Sequence, residues 1–360
     1  MHPFISSRFA RVTILALTVV LSVNTTTGTP SISPGLHTSS TTVKEAFNFS
    51  AIDSHVQRTP QHLSLQPLPR LVSYLIKPAT NDIEKARAIA RWITSNISYD
   101  FEAASLNSSS VSDNPDSVLY YRKALASGFA TLFVRMMHIA GVEAFTISGF
   151  KKGFNFVPGD ASTLKRHTWN AFRTGGKTYL VDLPVYKEVE TDNSYILAYA
   201  DAFFCIPPEQ LIYTSFPDDK RWQCLSEPIT KEQFINSVQC FGALHGYFIT
   251  PLSHRQYTIS SKQRTLTLCF DAPPSVILGA RTYAHKDAKA QHSIVKTTRE
   301  GRKFTVHIKF PADGTYKLEI TATEHIRERS TNDIIGCSIK TLAEYNVLIG
   351  DKQLHSMALN

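Results

Sequence analysis

His167 and Asp182 are the two residues of this 360-residue sequence whose types could do chemistry together. A carboxylate that binds one nitrogen of an imidazole fixes its tautomer and leaves the other nitrogen free to act as a base. The pair is therefore a candidate for the supporting half of a nucleophile–histidine–aspartate triad. The alternative for the same two residues is a structural hydrogen bond.

The spacing of the pair places both side chains on one face of a β-hairpin. Two segments that favour strands, His167–Arg173 and Lys177–Asp182, flank a Gly-Gly pair, which is typical of a two-residue hairpin loop. With those glycines as the loop, Trp169 lies opposite Asp182. Because side chains alternate along a strand, His167, Trp169 and Asp182 share one face. His167 and Asp182 are diagonal neighbours with about 7–8 Å between their backbones, so their side chains can meet.

Two helices and a strand precede this hairpin. Asn81 with a glutamate three positions later is typical of a capping box, and the apolar spacing that follows predicts a helix over Asp82–Ser95. A second helix is predicted from Leu125 to Ala140 and ended by Gly141. Val142–Phe150 is rich in branched and aromatic residues, which favours a strand.

Beyond Pro228 the pattern changes to short strands only, which predicts an immunoglobulin-like β-sandwich. The boundary between the two parts is expected between Pro217 and Cys240. The seven predicted strands are Tyr257–Ser260, Thr265–Phe270, Val276–Tyr283, His292–Thr298, Lys303–Phe310, Thr315–Thr323 and Ile339–Ile349.

Composition and charge exclude several classes of protein. The chain is 42% hydrophobic and 19% charged, with 16 Gly and 18 Pro, which excludes collagen, coiled coil and wholesale disorder. Its net charge is +8, and the basic residues are scattered rather than clustered with aromatic residues, so no nucleic-acid partner is expected. The HExxH, GxSxG and GxGxxG motifs are absent, and no cofactor or metal site is predicted.

The N-terminus has the pattern of an export signal. Arg8 and Arg11 precede an uncharged run from Val12 to Val23, and a polar stretch follows. As a helix this run would span roughly 18 Å of a ~30 Å hydrocarbon core, so a cleaved signal is favoured over a permanent anchor. We therefore expect a signal peptide over residues 1–27, a polar linker over 28–46 and a secreted, periplasmic or extracellular protein without stable membrane insertion.

The five cysteines do not indicate a catalytic or metal site. Their spacing is irregular and forms neither CxxC nor a Cys/His zinc pattern, so one or two disulfides and buried free thiols both remain open. They are Cys205, Cys224, Cys240, Cys269 and Cys337.

Several motifs in order resemble the transglutaminase-like superfamily. Pro207–Leu225 resembles its kyphoscoliosis peptidase branch, and Phe310–Tyr316 resembles part of the β-rich domain that follows in that branch. The resemblance covers roughly Phe47 to Gly350. The motifs are "RKALASGFATLF" at Arg122–Phe133, "SGFKKG" at Ser148–Gly153, "HTWNAF" at His167–Phe172 and "YLVD" at Tyr179–Asp182, after a leading "KARAIARWI" at Lys85–Ile93 and "ISYD" at Ile97–Asp100.

The resemblance implies a papain-like cysteine triad whose nucleophile begins the second helix. Typical members read Gly-Val-Cys-x-Gly-Tyr-Ala there, and this chain has Ala126 at the cysteine position. A methyl group has neither a proton nor a lone pair to offer, so the nucleophile is missing. Ser127 is the remaining candidate, but one helical step turns its side chain by about 100°, and an alcohol is harder to ionise than a thiol.

We therefore expect an α+β fold, with a papain/transglutaminase-like core over residues 47–228 and an immunoglobulin-like β-sandwich over residues 236–350. The expected function is that of an exported pseudoenzyme that binds a protein or peptide through the cleft at His167, Asp182 and Trp169, or through the sandwich. The alternative is a cysteine-peptidase-type or transglutaminase-type enzyme that uses Ser127, or another nucleophile, with His167 and Asp182.

Overall fold

A computed structural model of the chain describes residues 48–105, 112–153, 155–183, 201–284, 293–327 and 334–350. These residues belong to one compact unit, within which an α+β part is followed by a part built mainly of strands. The predicted signal peptide and polar linker, residues 1–46, lie outside the described residues. None of the described helices is long and apolar enough to cross a membrane.

The first part packs helices on one five-stranded sheet of order β6-β5-β4-β3-β7. The helices are α1 Ser50–Gln57, α2 Leu68–Leu75, α3 Asp82–Asn96, α4 Phe101–Ser105, α5 Pro115–Tyr121, α6 Ala126–Ile139 and α7 Pro208–Leu211. The strands are β1 Ser98–Tyr99 and β2 Lys123–Ala124, which pair with each other, and then β3 Glu143–Lys151, β4 Lys165–Thr174, β5 Lys177–Val181, β6 Phe204–Ile206 and β7 Ser215–Pro217.

Helix α3 begins after a capping residue, and helix α6 ends before a glycine. The Asn81 side chain accepts a hydrogen bond from the Glu84 backbone N–H at 3.0 Å, which satisfies one of the unpaired donors at the start of α3. The second predicted helix is α6, and Gly141 follows it with a φ of +76°, a conformation that glycine adopts without steric cost. Both predicted helices are confirmed, to within about two residues at their ends.

Gly128 lets the start of α6 approach α5 closely. A Cβ atom at residue 128 would lie 2.8 Å from the Ala124 Cβ and 2.9 Å from a Val118 methyl group, both closer than real side chains come. Since no side chain fits there, glycine at this position allows the start of α6 to pack directly on Val118 of α5 and on Ala124. The position of Ala126, two residues earlier, depends on this contact.

The hairpin of β4 and β5 has the register that the sequence predicts. Asn170 pairs with Val181 and Thr174 pairs with Lys177, which leaves Gly175 and Gly176 as the loop. Both glycines have positive φ angles, +57° and +73°, as a type I′ turn requires. The chain direction after β5 therefore brings Asp182 back beside β4.

The second part is a sandwich of two sheets, which confirms the predicted β-sandwich, although two short helices that the sequence did not predict lie at its start. One sheet has the order β10-β16-β15-β12, and the other has the order β13-β14-β11-β9. Their facing side chains form one apolar core that includes Leu268, Val306, Leu318 and Tyr345. The strands are β8 Gln239–Cys240, β9 Thr250–Pro251, β10 Thr258–Ser261, β11 Thr265–Asp271, β12 Ile277–Ala284, β13 Ile294–Glu300, β14 Lys303–Lys309, β15 Gly314–Arg327 and β16 Ile334–Ile349.

Two short helices lie at the junction of the parts, α8 Lys231–Ile235 and α9 Gly242–Gly246. Phe234 of α8 packs with Phe156 and Leu164 of the first part. The buried Lys152 Nζ donates hydrogen bonds to the Ser237 carbonyl at 3.1 Å and to the Ser237 Oγ at 2.7 Å. Side chains of the first part therefore reach across the segment in which the sequence places the boundary.

Candidate functional site

The structure brings His167 and Asp182 into direct contact. The imidazole Nε2 lies 2.9 Å from each oxygen of the Asp182 carboxylate, and both side chains are only 1% exposed. Since a carboxylate accepts hydrogen bonds, Nε2 carries the proton and Nδ1 is left with its lone pair. Nδ1 is buried and has no hydrogen-bond partner among the described residues.

Trp169 lies beside this imidazole, as the predicted shared face requires. The two rings stack with centroids 5.9 Å apart and an interplanar angle of 20°. His167 lies opposite Gly149 on the neighbouring strand β3, and a Cβ atom at residue 149 would lie 2.8 Å from the indole Cη2. The absence of a side chain at Gly149 thus leaves room for the indole that supports His167.

Lys151 is a member of the site that our sequence analysis missed. Its Nζ lies 3.1 Å from Oδ2 of Asp182 and 5.5 Å from the centroid of the Phe203 ring, and the residue is buried. Lys151 lies two positions beyond Gly149, the partner of His167, so strand alternation places it on the same face. The signal that could have identified it is its position on the strand face that also carries the buried Ile147 and Gly149.

Lys151 shifts the pKa values of both Asp182 and His167, which also shift each other. Burial alone would raise the pKa of Asp182, but His167 and Lys151 favour the carboxylate strongly enough to lower it to about 2. Burial lowers the pKa of His167, and the positive charge of Lys151 lowers it further, against the opposing effect of Asp182. At neutral pH the site therefore holds a carboxylate, an ammonium group and a neutral imidazole.

Ala126 lies at the N-terminal end of α6, and the contacts along this helix show that this end is directed toward His167. The Asn170 side chain donates to the Ala130 carbonyl at 3.0 Å, one turn after Ala126. The other end of the helix lies near the start of β3, where His138 Nε2 is 3.2 Å from the Ala144 carbonyl. Since the start of β3 pairs with the end of β4, the N-terminus of α6 is directed toward the His167 end of the sheet.

Ala126 and Ser127 are the two positions where a nucleophile would be sought. Ala126 is the first residue of α6 and is 9% exposed, with a methyl group where the resemblance puts a thiol. Ser127 is half-buried, and its hydroxyl has no hydrogen bond to any described residue. Within the described structure the His167 imidazole hydrogen-bonds to Asp182 and to neither of these residues.

His245 of α9 brings a side chain of the junction close to the same charges. Its ring packs on Phe203 with centroids 5.0 Å apart, and both ring nitrogens are buried without a partner among the described residues. Burial and the nearby Lys151 lower its pKa to about 3, partly opposed by Asp182. This histidine is therefore neutral at physiological pH, and no local sequence pattern identified it.

Four of the cysteines are free thiols that lie outside α6 and the hairpin. Burial raises the pKa of Cys224 to about 11 and that of Cys240 to about 12. Because a thiolate is the reactive form, these two buried thiols are poor nucleophiles at neutral pH. The four free thiols in the described part of the chain are those of Cys205, Cys224, Cys240 and Cys269.

The fold, the helix over the hairpin and the His-Asp pair together define a transglutaminase-like protein, and the comparisons agree. The transglutaminase-like superfamily model matches residues 69–182, so the match ends at Asp182, and the KY-like, immunoglobulin-like domain model matches residues 231–354. The chain belongs to the transglutaminase-like superfamily. The order of its two domains places it in the kyphoscoliosis peptidase-like branch.

The relatives in this branch include curated proteins of animals. The chain is 31% identical to the kyphoscoliosis peptidases of Mus musculus and of Homo sapiens, in each case over 261 residues that make up 71% of this chain and 38% of the relative. It is also 31% identical to Hillarin of Drosophila melanogaster, over 46% of this chain and 22% of that protein. The chain thus spans well under half the length of the curated relatives it matches.

Proposed function

We propose that this protein is an exported, catalytically inactive member of its family that acts as a protein-binding or peptide-binding module. The observation that carries the proposal is the methyl group of Ala126 at the start of α6, where the family resemblance implies the nucleophilic cysteine. The His167–Asp182 pair that would activate a nucleophile is complete. Nucleophilic attack from residue 126 needs a proton and a lone pair there, and the methyl group of Ala126 has neither.

Two buried polar atoms support binding rather than a purely structural role. The lone pair of His167 Nδ1 and the N–H of Trp169 Nε1 both lack a partner within the described part of the chain, and the two rings are stacked. Unsatisfied buried polar atoms cost about 1–3 kcal/mol each, so a ligand that reaches them through a local opening of the site and supplies partners recovers that free energy. A peptide group offers one N–H and one C=O, which is the complement of this acceptor and donor.

The second candidate function is a peptidase-type or transglutaminase-type enzyme that uses Ser127, or another nucleophile, with His167 and Asp182. The intact His-Asp pair favours it. Against it, Ser127 lies one helical step, about 100°, from residue 126, and a serine hydroxyl needs a base aligned with it to ionise. The pair is also explained without catalysis, because removing either partner would leave the other buried and unpaired.

One experiment separates these functions. The purified full chain, its Ala126→Cys variant and its Ser127→Ala variant are incubated with a panel of peptides and glutamine-donor substrates. Product formation is followed by mass spectrometry, and peptide binding is measured by fluorescence anisotropy. We expect saturable peptide binding by the wild-type chain without bond cleavage or cross-linking. Turnover by the wild-type protein that disappears in Ser127→Ala would instead establish the enzymatic alternative.

Export is part of the proposal and has its own test. The basic start, the short apolar run and the polar sequel at the N-terminus support a cleaved signal over residues 1–27. N-terminal sequencing of the secreted or periplasmic fraction should find a chain that begins shortly after Val23. An intact Met1 in a membrane fraction would contradict export in this form.

A further inference from the structure

Lys151 contacts the Asp182 carboxylate beside the His167 imidazole. We propose that Lys151 is a positioning residue that holds Asp182 in a buried ion pair and thereby keeps His167 uncharged, so that the site resists forming a charged cysteine–histidine pair. This inference rests on the proposed function, because it describes a second feature of the site that disfavours catalysis. The methyl group at Ala126 removes the nucleophile, whereas Lys151 acts on the base.

The geometry places two nitrogen groups on one carboxylate oxygen, the Lys151 ammonium group and the His167 imidazole. Lys151 Nζ lies 3.1 Å from Asp182 Oδ2, and His167 Nε2 lies 2.9 Å from the same atom. The two nitrogens are therefore at most about 6 Å apart, a range in which a like charge opposes protonation. Because all three side chains are 7% exposed or less, solvent screens this repulsion weakly.

This arrangement bears directly on thiol chemistry. When a thiol transfers its proton to an imidazole, the imidazolium that forms needs a neighbouring negative charge, which the aspartate of a triad supplies. Here the ammonium group of Lys151 already compensates the charge of Asp182. Protonation of His167 would then leave two cations beside one carboxylate, which disfavours the thiolate–imidazolium state.

The other charged and titratable groups nearby do not take over this role. His245 of α9 is influenced by the same two charges, but its pKa of about 3 leaves it neutral. Arg166 precedes His167, yet its guanidinium is exposed and paired with Asp218 at 2.7 Å. Among the described residues, Lys151 is the cation that contacts Asp182, so the proposal concerns Lys151 specifically.

The test follows the His167 ring in the native full chain by ¹H–¹⁵N NMR, with His167→Gln to assign its signals. We expect the wild-type ring to stay in the neutral Nε2–H form from pH 8 down to below pH 6. Lys151→Met should raise its titration midpoint by about 1–3 pH units, and Lys151→Arg, which retains the charge, should restore the wild-type behaviour. Lys152→Met is the matched control, since this equally buried neighbour contacts Ser237 instead of Asp182 and should leave the midpoint unchanged.

Two results would overturn the proposal. One is a wild-type His167 that titrates at the ordinary value of about 6.5 or above, a measurement that needs no variant to fold. The other is a folded Lys151→Met chain with an unchanged midpoint. Neither result bears on whether the wild-type chain turns over peptide, so a failure here and a failure of the proposed function are distinguishable.

A thiol readout tests the same proposal independently. In chains that carry Ala126→Cys, adding Lys151→Met should make alkylation of residue 126 by iodoacetamide near pH 6 about twofold faster. A rise of about 1 in the pKa of His167 favours the thiolate–imidazolium state about tenfold, which raises the ionised fraction from about 9% to about 50%, and the lower basicity makes each thiolate about threefold less nucleophilic. Equal rates with and without Lys151 would contradict the proposal. Lys152→Met in the same background should have no effect.

Discussion

Replacing Ala126 by cysteine should create a reactive thiol that depends on His167. The change puts a sulfur atom at the first residue of α6, where unpaired backbone N–H groups favour negative charge by about 0.3–1 kcal/mol, at the helix end directed toward the unpaired Nδ1 of His167. Burial alone acts in the opposite direction, as the pKa values of about 11 for Cys224 and about 12 for Cys240 show. A lowered pKa of the thiol at residue 126 would therefore be caused by the imidazole and the helix N-terminus, since burial raises the pKa of a thiol.

The expected size of the effect follows from ionisation. Activated cysteines have pKa values of about 3.5–7.5, and because Lys151 disfavours the imidazolium we expect about 7 here, near the top of that range. At pH 6 such a thiol is about 9% ionised, whereas an ordinary thiol with a pKa of about 8.5 is about 0.3% ionised. The lower basicity makes each thiolate less nucleophilic, with a Brønsted slope of about 0.4–0.5, so alkylation should be about sixfold faster than for an exposed reference cysteine.

The assay is alkylation with iodoacetamide at pH 6, followed by mass spectrometry of the peptide that contains residue 126. The wild-type chain measures the background from the native cysteines, and Ala126→Cys combined with His167→Ala measures the contribution of the imidazole. A thiol at residue 126 that reacts no faster than an exposed reference and is insensitive to His167 would refute the placement of Ala126 relative to the His-Asp pair.

Three further predictions concern stability. Arg87→Ala should lower the free energy of unfolding in urea by about 3 kcal/mol, because the buried guanidinium bonds Asp53 at 2.6 Å; an unchanged urea midpoint would contradict this. Gly149→Ala should lower the melting temperature, since its Cβ would lie 2.2 Å from the Phe216 carbonyl oxygen, whereas Gly246→Ala, with nothing within 4 Å, should not; equal melting curves would exclude the predicted clash. Burial lowers the pKa of Lys152 from 10.5 to about 7, so between these pH values the unfolded chain binds more protons than the folded chain. The free energy of unfolding should therefore rise from pH 7 to 9 by up to about 1.4 kcal/mol per pH unit. Lys152→Met should remove this rise in urea titrations, and an identical slope in the variant would count against it.

The sequence predicted the parts of the site that local rules control. The Gly175-Gly176 loop fixes the hairpin register, and the register fixes the contact between His167 and Asp182, so the pair could be placed from turn chemistry and strand alternation. Asn81 likewise marks the start of α3. These features need no knowledge of how distant segments pack.

The missing parts depend on contacts between segments that are far apart in the chain. Lys151 reaches Asp182 because β3 pairs with β4, and His245 approaches the same charges through the packing of α9 on Phe203. The α1 and α2 helices were also not predicted, although they pack into the main core of the first part. The domain boundary expected between Pro217 and Cys240 stays a prediction, and the structure adds the contacts that cross it.

Those contacts have a consequence for how this architecture can be inherited and engineered. The ammonium group of Lys152 lies between the Phe156 and Phe234 rings, 4.9 Å and 4.8 Å from their centroids, and its hydrogen-bond acceptors belong to Ser237. A fragment cut at residue 228 would lose one of these rings and both acceptors, and with them the contacts that offset the burial of Lys152. Recombination that separates the two domains at residue 228 would therefore lower the folding stability of the first domain, which favours inheritance of the two domains as a single genetic module.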